Sequence, residues 1–554
     1  EEEEEEESRG MATGVLSRAG GIISHGLCWW GELEGSNGLD ELATVVLTVV
    51  AITVAAISSY LTWKKKADRG LLPPGPTGLP LLGSLPFLGP DLHRCFADLA
   101  KRYGPVMSIR LGTKLWVVVS SPAAAKEVLR DHDAVFANRD PPAVATVISY
   151  GRRDIAWNND PASWRLLRKL CVRELMNPST IEALYALRRS EVRRAVREVY
   201  GRCGAPIGVR EVSFLTILDM TTNMLWGSTL GGVERSSVGK EFLEVVKGVT
   251  ELLGLPNVSD LIPAMARFDL QGLDGRMKTL LAWYDRIVSK VIDERSRWQV
   301  GDGVGGEGQR SSGSRGKDFL QVMLEAVDKA AEASVTIDNV KAVMLDVVVG
   351  ATDTSSTTVE WAMAEILSNR EILNKVQREL DAVVGADAVV EESHLPKLQY
   401  LDAVVKETLR LHPAVPFLIP RGPREPSTLG GHHVPAGTKV LINTWFIHRD
   451  PSSWEDPLEF KPERFLTGDS KWDYHGGNGF RFLPFGSGRR MCPGIPMAER
   501  MTNFLLATFL HSFDWQILAG QEVDVTEKVG IVLGMARPLA AVPTPRLSDP
   551  QLYA

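Results

Sequence analysis

Cysteine is scarce: five occur in 554 residues, at positions 28, 95, 171, 203 and 492. The set is odd in number and widely scattered, with no Cys-x-x-Cys pair, which excludes a disulfide framework and the common thiolate zinc sites. Any cysteine chemistry here belongs to one thiol acting alone. Excess charge of one sign is also missing, because the formal net charge is only -7 and acids and bases are spread along most of the chain. Without a basic stripe there is no footprint for a phosphate backbone, so nucleic acid is excluded as a partner. No Gly-x-Gly-x-x-Gly follows a strand pattern, which removes a built-in dinucleotide or flavin site. Internal repeats are absent as well.

What is present is a globular composition, 44% hydrophobic and 24% charged, in a chain long enough to bury a large core. One stretch differs from the rest. Residues 42–63 carry no charge, and as a helix they span roughly 33 Å, enough to cross the hydrocarbon core of a bilayer. Lys64, Lys65 and Lys66 follow it and Glu32, Glu34, Asp40 and Glu41 precede it, which places the C-terminal bulk on the cytosolic side and makes membrane lipid a partner. The sequence therefore divides into a short lumenal tail (1–41), a transmembrane anchor (42–63), a basic and Pro-rich strap (64–80) and one large domain (81–554). The glutamate run before Met11 reads as an extension outside the functional protein.

Within the domain, apolar residues recur at helical spacing over 122–131, 163–176, 181–200, 277–298, 338–368, 397–411 and 498–513. Short β patterns occur at 114–120, 417–421 and 438–443, bounded by Gly or Pro. A Gly- and Ser-rich stretch at 299–316 reads as a surface loop. The expected fold is mainly α, of the α+β kind with small sheets.

The sharpest local signal is Phe485-Gly486-Ser487-Gly488-Arg489-Arg490-Met491-Cys492-Pro493-Gly494. Its Phe485, Gly488, Arg490, Cys492 and Gly494 fit Phe-x-x-Gly-x-Arg-x-Cys-x-Gly, a coincidence expected by chance in roughly one of ten thousand such chains. On these residues the sequence resembles the cytochrome P450 superfamily, from about Pro73 to the C-terminus, and Asp473-Tyr474-His475, Cys492-Pro493-Gly494-Ile495-Pro496 and Asn257-Val258-Ser259-Asp260 resemble the plant microsomal group. The resemblance implies a haem b cofactor with Cys492 as the axial iron ligand. A thiolate in that place pushes electron density onto iron and must be kept deprotonated and shielded from water. It further implies that Gly488 allows a tight bulge aiming amides at sulfur, that Arg490 pairs with a haem propionate, and that Phe485 and Gly494 pack close to the porphyrin.

Other residues fall into place on the same resemblance. Glu407 and Arg410 stand three apart on a helix, and Arg464 follows in Pro462-Glu463-Arg464-Phe465; together they imply a buried structural network supporting the haem pocket. Gly350-Ala351-Thr352-Asp353-Thr354-Ser355 interrupts an apolar helix with an acid and a hydroxyl, implying that Asp353 and Thr354 serve oxygen activation as a proton relay. Ala351 stands where the family usually has Gly. Trp164 and Arg168 fit the family's Trp-x-x-x-Arg helix as propionate donors, with Arg421 a third. Substrate contacts are expected from 137–155, 256–262, 346–354, 414–419 and 531–533, with Gly350, Ala414, Val415 and Phe417 shaping an apolar pocket.

The implied activity is hydroxylation of a small hydrophobic molecule, a terpenoid, flavonoid or similar plant metabolite, with dioxygen. Electrons come from NADPH through a separate reductase flavoprotein, toward which Arg489, Arg490 and Arg500 offer positive charge. The location implied is the endoplasmic reticulum membrane, single-pass, with the catalytic domain cytosolic. Two rivals share the cysteine loop: a haem-thiolate isomerase or dehydratase that needs no reductase, and a non-catalytic membrane haem sensor. Neither has a use for Asp353 next to Thr354.

Overall fold

The computed structural model describes Thr48 and residues 71–227, 233–301, 318–328, 335–466, 472–518, 520 and 522–554. Apart from Thr48, the apolar run 42–63 lies outside the described residues, as do residues 302–316 of the expected loop. Among the described residues no helix is long and apolar enough to cross a membrane. The chain separates into residues 1–66 and 67–554, and every described element from residue 71 onward belongs to the second part.

Helices dominate, as the periodicity predicts. The longest, Ile337–Ser368, starts where Thr336 accepts from the Asn339 amide while the Asn339 side chain accepts from the Thr336 amide, a reciprocal cap that satisfies two terminal donors. It is buried along most of its length and packs chiefly on Val209–Trp226, then on Ile495–Ser512 and Gln399–Leu411. Val209–Trp226 is absent from the sequence expectation for a physical reason. It is enclosed on nearly every side, so it has no polar stripe and shows no 3.6-residue alternation.

Two expected helices change character before they end. Pro161–Leu170 is capped by Asp160, whose carboxylate accepts from the Ala162 and Ser163 amides, and then widens into a π turn at Cys171–Leu175. Pro122–Lys126 likewise passes into Glu127–Asp131.

The sheets are small. Val106–Leu111 pairs antiparallel with Lys114–Val119, which pairs parallel with Lys439–Ile442. A second sheet orders Ile207–Gly208, Ala540–Pro545 and Phe513–Ile517. The strand expected at 417–421 is a turn instead. Pro416 and Pro420 have no amide to donate and Leu418 takes φ of +52°, so the stretch meets the sheet through the Arg421 to Val440 bridge and a hydrogen bond from the Ile442 amide to the Phe417 carbonyl.

Candidate active site

Between the helix Ile337–Ser368 and the cysteine loop lies a cavity of about 370 Å³, a size suited to holding small molecules. Cys492 is at its floor. The Cys492 amide donates to the Phe485 carbonyl at 3.1 Å, and the Gly494 amide donates to the sulfur. Burial pushes the thiol up, while that amide and the Arg168 guanidinium favour the thiolate. Phe485, Met491, Pro493 and Gly494 line the cavity beside it, and the helix Ile495–Ser512 starts directly afterwards.

Gly488 has a further reason besides the expected bulge. It takes φ of +71°, and a Cβ there would lie 1.9 Å from the Leu129 carbonyl oxygen, so glycine is demanded by close contact with the turn at Glu127–Asp131. Gly494 meets only the Cys492 sulfur, at 3.7 Å, and the space its missing side chain leaves belongs to the cavity.

Four arginines converge on the cavity wall. Arg168 donates to the Met491 carbonyl at 2.7 Å, and Arg421 to the Ser487 carbonyl at 2.8 Å. Arg490 turns inward, donating to the carbonyls of Ala137, Ile155 and Asn158, with its guanidinium 4.3 Å from the Trp164 ring centre. This overturns its expected place on a docking surface. Arg489 and Arg500 are also engaged within the chain, with Asp133, and with Glu182 and Glu392.

Arg139, which sequence reasoning missed, is the fourth; it donates to the carbonyls of Ile419 and Pro420. Burial holds all four below their usual range, and neighbouring guanidiniums lower Arg139, Arg421 and Arg490 further, Arg421 to about 9 and Arg490 to about 10. Nη1 of Arg421, Nε of Arg139 and Nε1 of Trp164 are buried donors without a protein partner. A wall of crowded cations and orphaned N–H groups calls for an anionic ligand.

Glu407, Arg410 and Arg464 behave oppositely. Arg410 grips both oxygens of Glu407 at 2.6 and 2.7 Å and donates to the carbonyls of His448, Pro457 and Glu459. Arg464 reaches the same carboxylate at 3.0 Å, and so does the Lys461 amide at 2.8 Å. The expected buried network is present and lies outside the cavity wall.

On the opposite wall, Thr354, Gly350 and Ala351 face the cavity. The helix runs unbroken through Ala351, and the Thr354 hydroxyl donates to the Gly350 carbonyl at 2.7 Å, leaving its oxygen lone pairs free to accept. Asp353 is absent from the cavity wall. It is buried on another face of the helix, bound at 2.6 Å by Arg210, a partner that no pattern in the sequence marks.

Ala414 and Val415 line the cavity, while Phe417 does not; it packs on Phe96 at 5.6 Å, and Leu418 and Ile419 take its place. Residues 256–262 are also absent from the wall. There Asp260 accepts from the Ala143 amide and the Leu261 carbonyl from Thr113, and the cavity is lined instead by Val249, Thr250 and Leu253.

The cytochrome P450 family profile matches residues 73–540, spanning both walls and the cysteine loop. This chain belongs to the cytochrome P450 family. It is 38% identical over 515 residues to a flavonoid 3′-monooxygenase of Crocosmia x crocosmiiflora, covering 91% of this chain and 98% of that protein. A carnosic acid synthase of Salvia pomifera is 36% identical over 519 residues, covering 91% and 99%. A zebra fish cytochrome P450 solved with abiraterone superposes with a TM-score of 0.68 at 26% identity, covering 83% of this chain and all of that one.

The protein is therefore a haem-thiolate monooxygenase served by a reductase. The residues fit the cofactor: the Cys492 thiol on the cavity floor would hold the iron, and the orphaned donors of Trp164, Arg139 and Arg421 would meet the propionates.

Proposed function

We propose that this P450 hydroxylates a small apolar plant metabolite of the flavonoid or terpenoid class, at the cytosolic face of the endoplasmic reticulum. The observation that carries the reading is an apolar distal cavity above Cys492, walled by Ala414, Val415, Leu418, Ile419, Ile531 and Val532. The named activities of the flavonoid hydroxylase and carnosic acid synthase relatives point to the same chemical range. The uncharged run 42–63, followed by three lysines, supports single-pass anchoring, with 1–41 lumenal, 64–80 a strap and 81–554 catalytic.

Bound at Cys492, haem iron supplies the activation of dioxygen with electrons passed from NADPH by the reductase. The chain's own residues hold, shield and protonate. Trp164, Arg139, Arg168, Arg421 and Arg490 would anchor the carboxylates of the cofactor, and the apolar wall excludes water. Thr354 presents a hydroxyl to the cavity, one that accepts a hydrogen bond as it stands and donates one after leaving the Gly350 carbonyl. Asp353 is held by Arg210, whose side chain is 32% exposed, so the pair links the buried helix to solvent as a route for protons.

Reconstitution with the reductase and isotopically labelled dioxygen tests this reading. A flavonoid or terpenoid product carrying one labelled oxygen is expected. NADPH consumption that yields no labelled product from either class, with thiolate ligation intact, overturns the substrate reading. In Thr354→Ala, NADPH use continues while most electrons appear as hydrogen peroxide; unchanged coupling removes Thr354 from the mechanism.

A further inference from the structure

Asp154 and Asp346 meet at the cavity wall, and their remaining hydrogen-bond partners are backbone amides of one short segment. Oδ2 of Asp346, on the helix Ile337–Ser368, accepts from the Ile155 amide at 2.7 Å and from the Ala156 amide at 3.1 Å. Oδ1 of Asp154 accepts from the Trp157 amide at 3.0 Å. Oδ2 of Asp154 is buried, has no N–H or hydroxyl of another residue to accept from, and lies against the Asp346 carboxyl. Two bare carboxylates in contact inside a protein repel strongly, whereas one proton between them turns repulsion into a short hydrogen bond. Ile155, Ala156 and Trp157 themselves line the cavity.

We propose that Asp154 and Asp346 are positioning residues that hold one proton between them and so pin the Ile155, Ala156 and Trp157 wall of the cavity to the helix opposite Cys492. The same helix takes a second grip on the segment, since the Asn339 side chain donates to the Arg153 carbonyl at 2.8 Å. Arg139 and Arg490 face Asp154, while Tyr284 and Cys171 face Asp346. Burial and Asp346 push Asp154 well above the usual carboxylate range, and burial brings Asp346 to about 6.

Both acids thus bind their protons more tightly folded than unfolded. The folded protein then holds the extra proton above about pH 4, so this contribution falls as pH rises and is lost once the pair is doubly ionised. The wall loosens at alkaline pH.

Amide hydrogen exchange of the peptide covering 150–160, measured on the holoenzyme from acid to alkaline pH and corrected for intrinsic rates, tests the pair without relying on a substrate. In the wild type, protection is expected to fall about tenfold on the alkaline side. Asp154→Asn puts an amide donor where the proton was, and keeps protection at every pH. Asp346→Asn weakens the double acceptor and lowers protection throughout. Protection in the wild type that does not change with pH, or an Asp154→Asn variant as unprotected as Asp346→Asn, overturns the proposal. If Asp346→Asn does not fold, the wild-type profile against Asp154→Asn decides the matter by itself.

Discussion

Two sets of buried arginines serve this protein in opposite ways. Arg410 and Arg464 surround Glu407, and the Arg410 guanidinium is fully enclosed, with its charge matched and each of its nitrogens bonded to carboxylate or carbonyl oxygens. Arg139, Arg168, Arg421 and Arg490 crowd one another on the cavity wall, with Asp154 near Arg139 and Arg490 and Asp133 near Arg421, and Arg139 and Arg421 each keep a buried N–H without a partner. The first set is complete without a ligand and belongs to the fold. The second is complete only when an anion arrives and belongs to the cofactor.

That contrast predicts different failures. The largest is expected in Glu407→Ala, which strands two buried guanidiniums and costs about 3–5 kcal/mol, seen in denaturant unfolding and in a collapse of holoprotein yield. Next is Gly488→Ala. Its φ of +71° and the approach of the Leu129 carbonyl make any side chain strained, and a loss of about 1–3 kcal/mol is expected in thermal unfolding, with a disturbed Soret spectrum. Smallest in stability is Arg421→Gln, which relieves repulsion among the wall cations and leaves the apoprotein at least as stable. It removes a charged hydrogen bond worth about 1.5–3 kcal/mol, so haem transfer to an acceptor apoprotein should quicken about ten- to a hundredfold. Should Arg421→Gln destabilise the apoprotein as much as Glu407→Ala does, the two sets are not different in kind.

Much of this was legible in the sequence because it is local. The cysteine loop, the Glu407 and Arg410 spacing and the amphipathic helices are written in neighbouring residues; Arg370–Val383 is amphipathic too, although it is absent from the expected helices. The illegible parts depend on distance or enclosure. Val209–Trp226 hides because burial on all sides erases periodicity. Arg210 is 143 positions from Asp353, and no local pattern ties them. Arg139 joins the wall only because residues 280 positions away bring their carbonyls to it. Phe417 carries the right chemistry for the pocket, yet the turn between Pro416 and Pro420 sends it to Phe96 and leaves Leu418 and Ile419 at the cavity. Pattern gives residue type along the chain, whereas direction at a turn is set by backbone torsion.

The central claim is that Cys492, as a thiolate on the cavity floor, ligates haem iron. The carbon monoxide difference spectrum of the reduced, detergent-solubilised protein tests it most directly, beside Cys492→Ala expressed and haem-supplied in the same way. A strongly red-shifted Soret band in the wild type that is lost in Cys492→Ala is the predicted result. A folded, haem-loaded wild type without that band, or a variant that keeps it, would contradict the account.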